Sequence, residues 1–343
     1  MRNLVSKNCV GLNEINQGAT WTFAACTHLK PFSSFHRKLI QGKVCDFLPP
    51  SRTEIETRSP EMRTLDTLIE VVQAGEFTKL DQPVFRDYEA LEESNTVTQF
   101  YKTQHEKQTY EYAQDAKKRF YNFDHAKHTL MDLFAASDAI VDESDPDLHL
   151  SQLHHAIQTA ERARSLHPKP EMDWFWFTAF IHDLGKILTV FGEPQWGVVG
   201  DTFPLGCAFE NTSVYSQYFK LNPDDGKYDK YGIYEPNCGF DEVQFSFSHD
   251  DYLSRVLEHN GHNLPYEALY CIRYHSFYPW HKNGGYAHLA SARDHELLPL
   301  LRQFQACDLY SKDDANVLDY QQLEGFYSAL ADKFIGAGKV MEL

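Results

Sequence analysis

The sequence predicts an all-α fold, and three observations predict it. After Asn95 most apolar residues recur at helical spacing. Alternation of the kind a half-buried strand needs is scarce. One segment, Trp174–Ile181, is apolar all round, which marks a helix buried on every side. The candidate helices are 96–118, 123–139, 151–165, 172–190, 248–259, 264–276, 294–312 and 319–335. Residues 196–240 break the pattern with Gly, Pro, Asn and Asp, including Asn222-Pro223-Asp224-Asp225-Gly226, so a long irregular loop is expected near 196–245. Upstream, Ser59-Pro60 reads as an N-cap followed by proline at the first helical position. Leu65, Leu68, Ile69 and Val72 then keep helical spacing, and Gly75 stops it, giving a short helix and linker over 61–84. Residues 1–60 are expected to be a poorly ordered extension. Their first fifty residues lack periodicity, contain Pro31, Pro49 and Pro50, and hold six Lys/Arg against two Asp/Glu. A transit peptide is the sharper alternative for this acid-poor stretch, but it lacks a clear Arg-rich amphipathic face. The catalytic domain is expected over 85–343.

Composition removes several classes. The 343 residues carry 49 Asp and Glu against 32 Lys and Arg, a formal charge of −17, so the chain's own field repels polyanions; neither nucleic acid nor an anionic membrane is an expected partner. No apolar run is long enough to cross a bilayer. Seven cysteines without a CxxC pair read as reduced thiols and point to a cytoplasmic protein. The Asp-rich pieces at 142–147 and 222–226 do not satisfy a calcium loop, which requires Gly at its sixth position and Glu at its twelfth. There is no GxGxxG, P-loop or internal repeat. A monomer is expected.

The sharpest local feature is His182-Asp183, placed directly after the all-apolar segment. A His and an Asp in such surroundings are costly unless a metal ion or a closed set of hydrogen bonds satisfies them. For an isolated dipeptide the hydrogen-bonded core pair is the commoner explanation. Partners change that balance. His155 lies one helix upstream. His249 follows Ser248, a candidate N-cap with Asp251 at the third helical position. His275 ends an apolar helix, and Asp308 sits among Leu301, Phe304 and Cys307. Four His and two Asp from five separated helices exceed what one open catalytic metal takes. They suit two metals sharing a bridging carboxylate.

These residues lie in longer strings. They run His155-Ala156-x-Gln158-Thr159-Ala160-Glu161, His182-Asp183-Leu184-Gly185-Lys186, Gly192-Glu193-Pro194-Gln195-Trp196-x-Val198-Val199-Gly200-Asp201-Thr202-Phe203-Pro204, Ser248-His249-Asp250, His275-Ser276-Phe277-Tyr278-Pro279-Trp280-His281 and Cys307-Asp308-Leu309-Tyr310. With Asp142-Glu143-Ser144-Asp145-Pro146-Asp147 and Phe85-Arg86-x-Tyr88, they closely resemble the inositol oxygenase family over about residues 85–315. The resemblance implies a compact HD-domain-type helical bundle and a mixed-valent Fe(II)/Fe(III) pair. It places His155, His182 and Asp308 on one iron, His249 and His275 on the other, and Asp183 between them. It also implies that Lys186 stabilises a substrate alkoxide. Arg86, Asp142, Glu143, Ser144, Lys186, Gly200, Asp201, His275 and Ser276 would contact substrate. The implied reaction opens the ring of myo-inositol with O2 to give D-glucuronate and water, the first step of inositol catabolism.

Two points stay open in the sequence. Leu150, Leu153, Ile157 and Ala160 define an apolar face closer to His154 than to His155, while the family string selects His155. A metal-dependent phosphohydrolase of the wider HD superfamily is the alternative function, using Arg86, Lys186 and Lys312 for phosphate. The strings at 192–204 and 275–281 favour the oxygenase.

Overall fold

The structure, a computed structural model, describes residues 94–138, 140–144, 151–310 and 320–343. The extension over 1–60, the helix expected within 61–84, Arg86 and Lys312 lie outside these residues. The described residues form ten α-helices and one two-stranded sheet. In chain order they are α1 (Thr96–Lys107), α2 (Tyr110–Phe120), β1 (Lys127–Thr129), α3 (Leu130–Ser137), α4 (Gln152–Leu166), α5 (Asp173–Ile181), α6 (His249–Asn260), α7 (Tyr266–Tyr274), α8 (Tyr278–His281), α9 (Ala292–Tyr310), α10 (Tyr320–Phe334) and β2 (Val340–Glu342). The all-α expectation holds. Among the described residues no helix is long and apolar enough to cross a membrane.

Three of the expected helices are interrupted, each for a local reason. The 96–118 helix is two helices. Thr109 accepts the Tyr112 N–H and restarts the chain as α2, while the Gln108 side chain leaves the helix axis to bond the Phe247 carbonyl at 2.8 Å and the Phe247 N–H at 3.0 Å. The 123–139 helix begins instead as β1, which pairs antiparallel with β2 in the register Lys127↔Glu342, His128↔Met341, Thr129↔Val340. Thr129 then caps α3 in a reciprocal pair with Asp132. The 172–190 helix ends at Ile181, and the chain tightens into a 3-10 turn over Leu184–Thr189.

The core is built around α5. Every residue from Trp174 to Ile181 is buried, because α4, α7, α9 and α10 all pack on this helix. The turn at 184–189 lies between α3 and α6, and α9 also closes on α4 and α7. The expected loop near 196–245 is irregular, with short 3-10 turns at Gln195–Gly197, Ser216–Leu221 and Phe240–Glu242. It is no loose surface loop, however. Val198, Val199, Phe203, Leu205, Phe219, Phe240 and Val243 from this stretch are all buried core residues.

One core residue is out of character. His105 on α1 is fully buried and stacks on Phe219 at 4.1 Å between ring centroids. Neither of its ring nitrogens has a hydrogen-bond partner. Burial therefore lowers its pKa to about 3, and the folded protein holds the ring neutral. Unfolded chains take up a proton below about pH 6.5. The stability tied to His105 is thus complete above that pH and is lost as pH falls from there towards 3. His105→Phe should gain about 2 kcal/mol at pH 5 relative to its effect at pH 8, measured by denaturant unfolding at both values. Identical differences at the two pH values would show that the ring titrates alike in the folded and unfolded protein, against a burial-lowered pKa.

Candidate metal centre

Five segments deliver the six predicted ligands, and most arrive at helix ends. His155 lies in the first turn of α4. His182 is the C-cap of α5, and Asp183 sits at the joint before the 3-10 turn with φ −91° and ψ −4°. In an unbroken helix neighbouring side chains point about 100° apart; the joint lets both face the same place. His249 opens α6, His275 is the C-cap of α7, and Asp308 lies in the last turn of α9. Ser248 does occupy the N-cap of α6, but its side chain makes no capping bond. Asp251 forms no capping box either, being held by Lys117 at 3.2 Å, Arg273 at 3.0 Å and the Tyr121 hydroxyl at 2.7 Å.

The structure brings all six together. Asp183 Oδ2 lies 3.4 Å from His155 Nε2 and 3.6 Å from His182 Nε2. Its other oxygen, Oδ1, lies 3.2 Å from His249 Nε2 and 3.7 Å from His275 Nε2. Asp308 Oδ1 is 3.0 Å from His155 Nε2 and 3.6 Å from His182 Nε2. Two groups can therefore hold a metal ion, one containing His155 and His182, the other His249 and His275, with Asp183 common to both. His154, the neighbour that helical periodicity favours, is only half-buried, whereas His155 is buried.

The donor atoms fit metal ions better than they fit one another. His182, His249 and His275 each direct Nδ1 at a backbone carbonyl, of Ala179 (2.8 Å), Val198 (2.7 Å) and Ile272 (2.8 Å). That orients Nε2 inward with its lone pair, the usual arrangement of a metal-bound imidazole. His182 Nε2 is buried with no hydrogen-bond partner. The Nε2 atoms of His249 and His275 face each other at 3.2 Å, which with both rings neutral sets lone pair against lone pair, a contact that a proton or a metal cation relieves. Imidazole and carboxylate without thiolate suit first-row divalent metals such as iron.

The electrostatics agree. Burial alone would raise the pKa of Asp183, but His182, Lys186 and bonds from His249 and His275 hold it well below the usual range. Burial would likewise raise Asp308, and His155 and His182 override it. For His249 burial acts downward, yet Asp250 and Asp183 push the pKa up to about 10. The cage thus demands positive charge, which protons supply until a metal displaces them.

The predicted substrate contacts fall into two groups. Lys186 Nζ touches the cage directly, 2.9 Å from both Asp183 Oδ2 and Asp142 Oδ2. Burial opposes its charge, but the two carboxylates keep it protonated. Asp142 Oδ1 accepts the Ser144 N–H and hydroxyl at 2.9 and 2.6 Å. Ser276 donates to Asp250. Gly200 and Asp201 are one step further away, tied in by the Thr202 N–H to the Ser276 carbonyl at 2.9 Å. Burial pushes Asp201 up to about 7, and Tyr101 donates to it at 3.2 Å. Glu143 is exposed, and its backbone rather than its side chain is held.

Sequence reasoning gave no role to two residues that the geometry singles out. Gln195 clamps the 141–143 segment from both sides, donating to the Val141 carbonyl at 2.7 Å and accepting the Glu143 N–H at 2.8 Å. Asp250, directly after His249, is buried against both imidazoles of the second group. No periodicity marks either one.

Gly185 sets the spacing between the two halves of the cage. A Cβ there would lie 2.1 Å from the His249 carbonyl oxygen, so the 184–189 turn meets the start of α6 backbone to backbone. Gly185→Ala should cost about 1–3 kcal/mol of stability and lower metal content by pushing His249 away from Asp183. Unfolding midpoints and metal analysis of the purified variant check this; wild-type values for both would show that the contact is absent.

The sequence profile of the myo-inositol oxygenase family matches residues 94–342, the stretch that holds every described element. Inositol oxygenase of Danio rerio is 42% identical over 259 residues, covering 74% of this chain and 92% of the relative. Inositol oxygenase of Dictyostelium discoideum is 44% identical over 257 residues, 73% and 87% of the two chains. Inositol oxygenase 2 of Arabidopsis thaliana is 40% identical over 310 residues, 85% and 96% of the two chains. With a profile match over most of its length and relatives at this identity, the chain belongs to the myo-inositol oxygenase family.

Proposed function

We propose that the cage holds two iron ions as a mixed-valent pair, and that the protein uses them with O2 to open the ring of myo-inositol, giving D-glucuronate and water. Family membership makes the chain an inositol oxygenase, an oxidoreductase. The observation that supports the two-iron reading is the division of Asp183, whose two oxygens face separate imidazole pairs. His155, His182 and Asp308 would hold one ion, His249 and His275 the other, and Asp183 both. Bound iron would supply Lewis acidity for a substrate hydroxyl and a redox partner for O2. In the net reaction inositol loses four electrons to O2, and one oxygen atom ends in the product and one in water.

The protein's own groups account for recognition. The substrate is a neutral ring of hydroxyls, each both donor and acceptor. Lys186 Nζ can donate, and the Asp142 carboxylate and the Ser276 hydroxyl oxygen, whose proton is given to Asp250, can accept. Lys186 is the charged donor beside Asp183, so it is placed to hold a hydroxyl that has lost its proton. Its two carboxylate partners keep it cationic for that task. We assign Arg86, Glu143, Gly200 and Asp201 to the same pocket on the family resemblance of their strings. The catalytic domain would run over 85–343. A cytoplasmic setting suits the four described cysteines, Cys207, Cys238, Cys271 and Cys307, all of them free thiols.

Purified protein supplied with iron and reductant should consume O2 and form glucuronate in equal amounts when given myo-inositol. Folded, iron-loaded protein that leaves inositol untouched in air would overturn the reading. Asp183→Asn should keep the fold, lose the paired iron signal and lower turnover more than about 100-fold; full O2 uptake in that variant would remove the bridging role. Gln195→Ala removes two bonds that position Asp142 without touching the cage. It should raise KM for inositol about tenfold and leave kcat nearly unchanged. A fall in kcat with KM constant would contradict a positioning role.

A further inference from the structure

Asp250 occupies a place that none of the predicted roles fills. It is 0% exposed, and among the described residues no lysine or arginine pairs with it. Its Oδ1 lies 3.0 Å from His249 Nε2 and 3.6 Å from His275 Nε2. Asp183 Oδ1 stands 3.2 and 3.7 Å from the same two atoms. Two carboxylate oxygens thus approach one imidazole pair in nearly equal geometry. Ligands about 2.1 Å from one ion at adjacent octahedral positions lie about 3.0 Å apart, and these separations begin there.

The hydrogen bonds from Ser276 account for only part of the arrangement. The Ser276 N–H reaches Asp250 Oδ2 at 3.2 Å, and the Ser276 hydroxyl reaches Oδ1 at 3.0 Å. A carboxylate has about four acceptor sites, so acceptor capacity remains on the side that faces the imidazoles. Both rings already spend Nδ1 on backbone carbonyls. Neutral rings would therefore turn two nitrogen lone pairs towards two carboxylate oxygens. A buried carboxylate in such company needs a cation.

We propose that Asp250 Oδ1 is a direct ligand of the second metal ion, the one held by His249 and His275, in the substrate-free protein. The inference rests on the two-iron reading above. It adds a third carboxylate to the charge balance, beside Asp183 and Asp308. It also gives the second ion a protein ligand at a position that substrate hydroxyls need. Ser276 makes the exchange inexpensive, since its N–H and hydroxyl already hold the carboxylate and continue to do so when the oxygen leaves the ion.

Anaerobic titration with Fe(II), without substrate, tests this on the full chain with the fold checked by circular dichroism. Wild type should bind two irons. Asp250→Asn and Asp250→Ala should bind the first normally and the second at least about tenfold more weakly. If both variants take two irons with wild-type affinity and only KM for inositol rises, Asp250 merely holds Ser276 and the proposal falls while the two-iron reading stands. If wild type binds a single iron, the two-iron reading falls and takes this proposal with it. Should the variants not fold, a crystal structure of iron-loaded, substrate-free wild type decides: Asp250 Oδ1 bonded to the second iron supports the proposal, and an ion held by His249 and His275 without it overturns it.

Discussion

Three carboxylates, Asp183, Asp250 and Asp308, are buried among four imidazoles, and among the described residues Lys186 brings an ammonium into contact with Asp183. Everything else about the site follows from that imbalance. Negative charge in a low-dielectric interior is tolerable only if positive charge arrives. Protons on the imidazoles can supply it, and metal ions supply it more fully. The scaffold must therefore hold its donors at fixed separations before any ion is present, against their mutual repulsion. It does so with backbone: the Ala179, Val198 and Ile272 carbonyls lock three imidazoles, and the bare Gly185 lets the 184–189 turn lie against the first residue of α6.

Placement at helix ends explains how so many donors converge. A residue in mid-helix shares its direction only with those three or four positions away. His182, His249 and His275 escape this limit, because the chain turns beside each of them. His182 and Asp183 could not both face the cage if α5 continued as the apolar pattern suggests. The irregular stretch after residue 195 does related work. Its Val198 carbonyl accepts both the N–H and the ring nitrogen of His249, so a segment without regular structure fixes a donor in one of the tightest parts of the protein.

The sequence made the helical class and the six candidate ligands legible because both depend on local pattern or on long matched strings. Three things were not legible. The β1–β2 pair joins residues more than two hundred positions apart, and no local alternation announces it. The break at His182 is hidden because apolar residues continue through Leu184, Ile187 and Leu188, all buried; the 3-10 turn buries the same residues a helix would. The choice between His154 and His155 misleads a periodicity argument for a different reason. α4 is covered by both α5 and α9, so its buried face is wide enough to take in every residue from His155 to Ala160. A stripe drawn through Leu150, Leu153 and Ile157 captures one edge of that face.

The state of Lys186 bears on why such a cage suits a neutral substrate. Its charge is engaged by Asp142 on one side and Asp183 on the other. A phosphate ester would have to compete with both carboxylates while bringing further negative charge towards two more, Asp250 and Asp308. A polyol brings none. It can insert between Lys186 and Asp142, donating to the carboxylate and accepting from the ammonium, so that the ion pair is replaced by two charge-assisted hydrogen bonds. Asp142 belongs to the segment that Gln195 clamps, and Lys186 to the turn that carries Asp183. Substrate would thus bridge the clamped segment and the metal cage, and the groups that recognise its hydroxyls are the same ones that balance the buried charge.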